Sequence, residues 1–401
     1  MTTDEDRALG RASRLGALDG LRGIAAAIVL LHHTLLLTSG ISATYLGGPL
    51  PEPGSLTWLL TYTPLKLTNA GGEAVIVFFV LSGLVLTLPV LRNREFDWLA
   101  YYPRRVIRLV VPVIGSVVLA ALLISLVPQR PFQAGTTWLN TYSIPDLSWG
   151  NVVRGFDLLG GDFLVNNPLW SLHWELVFSL ALPLFVVAAV WSRRWWPAVV
   201  IGSCLTMWVG SIVSSPALTY LPVFLVGATI AVNLAAIDVL GRRIARLRGT
   251  HIVWAGIFAA SIVTLLASWL TGPLSAEFAS VTGALRALTP LAAGGLVVCA
   301  LGWSPIGRLL RTRPFLYLGK ISFSLYLVHV PVLIFTSHAL KGLPQAVSML
   351  VGVVLAGGIA IGFHWLVEGR SHVWSRASGA WVSRTMTRWH SASELPSKTP
   401  V

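Results

Sequence analysis

The chain has 401 residues, of which 55% are hydrophobic and 11% charged, against roughly 25% charged in an ordinary soluble globule. That composition leaves too little polar surface for a water-soluble fold of this size. The net charge of +13 does not indicate a nucleic-acid partner, because Lys and Arg gather in short segments between nonpolar runs and form no basic soluble domain.

The nonpolar runs predict an all-α, polytopic membrane helix bundle of about ten transmembrane helices. They lie near 18–38, 72–91, 107–127, 169–190, 197–213, 217–236, 251–270, 284–301, 315–337 and 344–367. Each is close to the twenty or so residues that cross about 30 Å of hydrocarbon. Residues 1–17 then form an N-terminal tail, 18–367 a transmembrane domain, and 368–401 a loosely ordered C-terminal tail. Basic residues concentrate in one alternating set of connections, which by the positive-inside bias places both termini in the cytoplasm. The opposite connections 39–71 and 128–168 are long and rich in Gly, Pro, Thr, Asn and Trp, as suits a lid or vestibule over an outward-opening site. Cys204 and Cys299 both fall inside predicted spans and imply neither a disulfide framework nor a metal site.

The first span carries Asp19, Arg22 and two adjacent histidines, His32 and His33. His33 follows Arg22 by eleven residues, about 16 Å along a helix and about three full turns, so the two side chains share a face. Asp19, three residues before Arg22, can pair with it. Histidine suits proton transfer because its ordinary pKa lies near neutrality. His32 points about 100° away from its neighbour, so at most one of the two faces a cavity fully.

At the start of the third span, Arg104, Arg105 and Arg108 are spaced so that part of the cluster converges on one helix face, and guanidinium forks match phosphate oxygens. Anchoring to lipid headgroups is the alternative. The fourth span carries Glu175, expected at a depth comparable with His33. A carboxylate there needs a partner or a wet cavity. It could orient His33, bind a polar acceptor, or serve as a structural hydrogen-bond acceptor. In the ninth span Ser322, Tyr326 and His329, at spacings of four and three, make one polar stripe, for the site or for helix association. No pair of interrupted spans is evident, which sets a secondary transporter or flippase for a glycan or lipid-linked intermediate second to an enzyme.

Taken together, these segments resemble the membrane acyltransferase 3 family, the OafA/YrhL-like O-acyltransferases of bacteria. LDGLRGIAAAIVLLHH looks like that family's first-helix signature, with Arg22 and His33 as its Arg-x10-His motif. FFVLSGLVLT at 78–87 looks like its FFxxSG signature, and Arg105 and Arg108 match its Arg-x-x-Arg motif. WSLHWELVF and LGKISFSLYLVHVP resemble later signatures, so the likeness runs from about residue 14 to 370. The resemblance implies a multi-pass enzyme of the bacterial cytoplasmic membrane, with no permanently bound cofactor. It would move an acyl group, commonly acetyl, from cytoplasmic acyl-CoA to a hydroxyl of a carbohydrate, envelope glycan, glycolipid or macrolide-type secondary metabolite. It further implies that His33 is catalytic and that Arg22, Arg105 and Arg108 serve the donor. Direct transfer and an acyl-histidine relay both remain open, as do Tyr326, His329 and backbone amides as oxyanion donors.

Overall fold

The computed structural model describes residues 4–93, 95–160, 162–274 and 279–393, and among these every regular element is helical. The principal helices are α1 (Asp4–Leu35), α2 (Gly71–Arg92), α3 (Trp98–Leu126), α4 (Leu169–Leu180), α5 (Leu182–Trp191), α6 (Trp196–Ile212) and α7 (Pro216–Val232). They continue as α8 (Leu234–Ala245), α9 (Thr250–Leu270), α10 (Thr289–Gly302), α11 (Arg313–Ala339), α12 (Gln345–Phe363) and α13 (Gly369–Ser393). Among the described residues, eight helices are long and apolar enough to cross a membrane, or ten if each of two bent pairs is one span. This agrees with the predicted count.

The bends correct the expectation of uninterrupted spans. α4 and α5 meet at 67°, where Pro183 opens α5 without the N–H that would continue the ladder. α7 and α8 meet at 68°, and there the Asn233 side-chain amide donates to the Thr229 carbonyl at 3.0 Å and closes the first helix. α8 is amphipathic, carrying Asp238, Arg242 and Arg243, as suits a helix lying along the membrane surface.

The segment expected to be a loose tail is helical through Ser393. α12 passes through a π turn at His364–Glu368 into α13, which lies along the start of α3. Ser375 donates to the Arg104 carbonyl at 2.8 Å, and Ser383 donates to the Asp97 carboxylate. Asp97 also caps α3 by accepting the Ala100 N–H at 2.9 Å. The Ser383 hydroxyl and then the Ala100 amide hold the Asp97 carboxyl below its ordinary range.

Glycines set the closest crossings, as membrane helices require when packing rather than hydrophobic transfer joins them. A Cβ on Gly23 of α1 would come within 2.6 Å of the Gly319 nitrogen of α11. One on Gly83 of α2 would collide with the Phe224 carbonyl of α7, and one on Gly227 with the Val80 carbonyl. α1 is thereby held against α11, and α2 against α7.

The two long connections fold into short helices at Ser39–Tyr45, Leu56–Tyr62, Thr137–Tyr142 and Trp149–Gly155, with a 3-10 turn at Pro64–Asn69. Thr136 donates to the Leu36 carbonyl at 3.1 Å, and the Trp138 amide to the Ser42 hydroxyl at 3.0 Å. The Ser143 hydroxyl and His338 Nε2 are 2.7 Å apart. These bonds seat the cover over the ends of α1 and α11.

Candidate active site

A cavity of about 520 Å³ opens between α1, α2, α3, α4, α11 and the π turn. Toward the N-terminal ends of α1 and α11 it is lined by Asp19, Arg22, Arg105, Arg108 and Lys320, with His364, Glu368 and His372 from the helix that follows α12. At the other end the lining is Val75, Phe78, Ser171 and Tyr326. Four fixed cations, Arg22, Arg105, Arg108 and Lys320, thus face three carboxylates, Asp19, Glu175 and Glu368, across one space.

Sequence spacing explains this lining. In Asp19-Gly20-Leu21-Arg22-Gly23 the glycines face Leu310 and α11, while Asp19 and Arg22 turn to the cavity and pair at 3.4 Å. In Phe78-Phe79-Val80-Leu81-Ser82-Gly83 both phenylalanines line the cavity, Ser82 donates to Glu175 at 3.3 Å, and Gly83 makes the α7 crossing. Arg105 and Arg108, one turn apart on α3, both line the space. The Arg108 side chain has no hydrogen-bond partner among the described residues, so its guanidinium donors remain available to a ligand.

The structure sets Arg104 apart from the site and narrows the three readings of Glu175. Arg104 does not join the other arginines, because its side chain lies over Gly379 of α13, on a different face of α3. Glu175 does not orient His33. Its Oε1 accepts from Arg105 at 2.5 Å, and Arg105 also donates to the Ser179 hydroxyl at 2.9 Å. Nor does Glu175 share the depth of His33. Tyr326 lies three residues before His329 on α11 and Glu175 four residues beyond Ser171 on α4, which together put the carboxylate roughly 10 Å deeper.

The cavity stops one helical turn short of the histidines. The Tyr326 and Ser171 hydroxyls are 2.6 Å apart, and Tyr326 donates also toward the Pro168 carbonyl at 3.3 Å. Beyond this closure His33 Nδ1 and His329 Nε2 are 3.0 Å apart, with ring centroids separated by 4.9 Å. His329 is 1% exposed, whereas His33 is half-buried and keeps accessible surface. The indole of Trp138, carried by the cover, lies 5.5 Å from the His33 ring, centroid to centroid. His32 faces elsewhere: it is 4% exposed and its Nδ1 lies 2.9 Å from the Asn69 carbonyl. The stripe on α11 is as spaced, with Ser322 and Tyr326 in the cavity wall and His329 above it.

The family model "Acyltransferase domain" matches residues 15–368, nearly the whole chain. The chain belongs to this acyltransferase family. It is 27% identical over 393 residues to "Acyltransferase MdmB" of Streptomyces mycarofaciens, covering 89% of this chain and 92% of that one. It is 28% identical over 383 residues to "O-acetyltransferase PaAT-1" of Phomopsis amygdali, covering 80% and 73% respectively. No solved structure matches it.

His364 and His372 of this acyltransferase's cavity, and Trp138 beyond its closed end, escape sequence reasoning. His364, Glu368 and His372 recur every four residues across the π turn. Glu368 accepts from Ser324 at 2.6 Å, and its carboxylate lies 2.9 Å from His364 Nδ1 and 3.6 Å from His372 Nε2. The His-x3-Glu-x3-His period in HWLVEGRSH was the available signal. Trp138 gave none, since nothing in a connecting segment fixes which indole meets a histidine 105 positions earlier.

Proposed function

We propose that the chain transfers an acyl group, acetyl in the simplest case, from acyl-CoA to an acceptor hydroxyl, with His33 as general base. The observation that carries the reading is the arginine-lined cavity that ends one turn below the His33–His329 pair. Its cationic end suits the phosphates of a CoA-type donor, through Arg22, Arg108 and the Glu175-braced Arg105. Its other end, walled by Phe78 and Tyr326, suits a pantetheine arm. Swinging the Tyr326 side chain aside would bring a thioester up to His33 without moving the charged nucleotide through hydrocarbon.

The acceptor reaches His33 from beneath the cover. His33 takes the hydroxyl proton as the acceptor oxygen bonds to the thioester carbonyl carbon, the C–S bond breaks, and the CoA sulfur leaves with the proton that His33 returns. The bias of basic residues supports a cytoplasmic donor side, with both termini there, and a bacterial cell membrane is the location we assign. The name of the Phomopsis relative supports acetyl as the group and oxygen as its destination. A carbohydrate, envelope glycan or macrolide-type metabolite is the acceptor class we assign.

The test is purified protein in proteoliposomes with labelled acetyl-CoA and hydroxyl acceptors of these classes. His33→Ala should lose transfer by about 10³-fold or more, within the range of general-base contributions, while donor binding survives. Near-normal turnover in that variant contradicts the assignment, as does solute translocation without acyl transfer. Rapid quench with donor alone should yield no labelled histidine, because an adduct would replace direct transfer by a relay.

A further inference from the structure

Deepening that reading of His33, we propose that His329 is its positioning residue, fixing the tautomer that leaves His33 Nε2 as the base and sharing the proton that His33 gains. The argument runs through the hydrogen-bond inventory of an imidazole, in which a neutral ring has one N–H and one lone pair.

His329 Nδ1 lies 2.8 Å from the Tyr326 carbonyl and 3.0 Å from the Leu325 carbonyl. Carbonyl oxygens only accept, so that nitrogen carries the hydrogen and His329 Nε2 carries the lone pair. The lone pair faces His33 Nδ1 at 3.0 Å. The same His33 nitrogen lies 3.0 Å from the Val29 carbonyl, a second acceptor. An unprotonated Nδ1 would put lone pair against lone pair at both contacts, so His33 Nδ1 holds the hydrogen. His33 Nε2 is left as the free lone pair, the form a base needs toward a substrate hydroxyl.

When His33 Nε2 takes that proton, the ring becomes an imidazolium whose Nδ1–H is already aimed at His329 Nε2. The positive charge can then spread over two rings, a task that a carboxylate performs in serine-hydrolase triads. No carboxylate is hydrogen-bonded to either ring among the described residues, and Glu175 is committed to Arg105. The arrangement also removes His329 as an oxyanion donor, because its single N–H is engaged by carbonyls.

Two variants and one spectrum test this. His329→Leu removes the acceptor with little change in volume and should lower kcat by about 10²-fold or more, with donor KM changed less than about threefold. His329→Gln places a carbonyl oxygen near the lost Nε2 and should restore at least about a tenth of wild-type kcat. Nitrogen-15 spectra of histidine-labelled wild-type protein, with the His33 signals assigned through His33→Ala, should show Nδ1 protonated and Nε2 bare. A His33 protonated on Nε2, or wild-type kcat in His329→Leu, overturns the proposal. If His329→Leu does not fold, the spectrum and His329→Gln decide. Turnover retained by His33→Ala would sink the general-base reading itself, whereas an inactive His33→Ala beside a fully active His329→Leu would sink only the positioning role.

Discussion

Arg105 accounts for Glu175 being tolerated at membrane depth. A carboxylate taken from water is costly unless paired, and here the guanidinium, with Ser82, supplies the donors. Removing one partner leaves the other uncompensated, so Glu175→Gln should cost about 1–3 kcal/mol of stability, somewhat below the figure for fully buried pairs because Glu175 is partly accessible. Donor affinity should fall as well, since Arg105 loses its brace. Thermal unfolding and donor titration in detergent measure both. Intact donor binding with a kcat loss as deep as that of His33→Ala would return Glu175 to an orienting role. The need for a partner was legible from one carboxylate in a nonpolar run. Its identity was not, because counting along two straight helices ignores how they are offset against each other, and that offset moves Glu175 away from His33 and down to α3.

Among the elements, the helices themselves were the easiest to read, since hydropathy over twenty residues is a strong signal wherever backbone groups must be satisfied internally. Their interruptions were harder. Pro183 marks the α4–α5 bend, yet Pro89, Pro112 and Pro331 lie inside helices that continue, so proline alone does not locate a break. The helical extension beyond residue 368 was missed because its polar composition resembles a tail, whereas it is held by side-chain bonds to α3 that no linear pattern exposes. The motif glycines gain a physical reason at this scale. Gly83→Leu would drive a side chain into the Phe224 carbonyl of α7 and part α2 from it. Loss of folded, monodisperse protein is expected, and size-exclusion chromatography with circular dichroism checks it. A well-folded Gly83→Leu protein with wild-type donor binding would show that the crossing can relax.

For the molecule as a whole, α1 joins the two ends of the proposed reaction path. It brings Arg22 to the cationic cavity and His33 to the covered histidine pair, and Gly23 holds it against α11, which does the same with Ser322 and His329. The shared face of Arg22 and His33 was readable from their spacing. The closure between them was not, because it is made by α4 and α11, whose meeting at Ser171 and Tyr326 depends on tertiary packing. The central claim is that donor bound among the arginines can present its acyl group to His33. Electron cryomicroscopy of the protein with a non-hydrolysable acetyl-CoA analogue tests this most directly. The expected result places the phosphates against Arg22, Arg105 and Arg108 and the acetyl group past a displaced Tyr326, beside His33 Nε2. A nucleotide bound elsewhere, or an acetyl group still held below a closed Tyr326 when acceptor is also present, would contradict it.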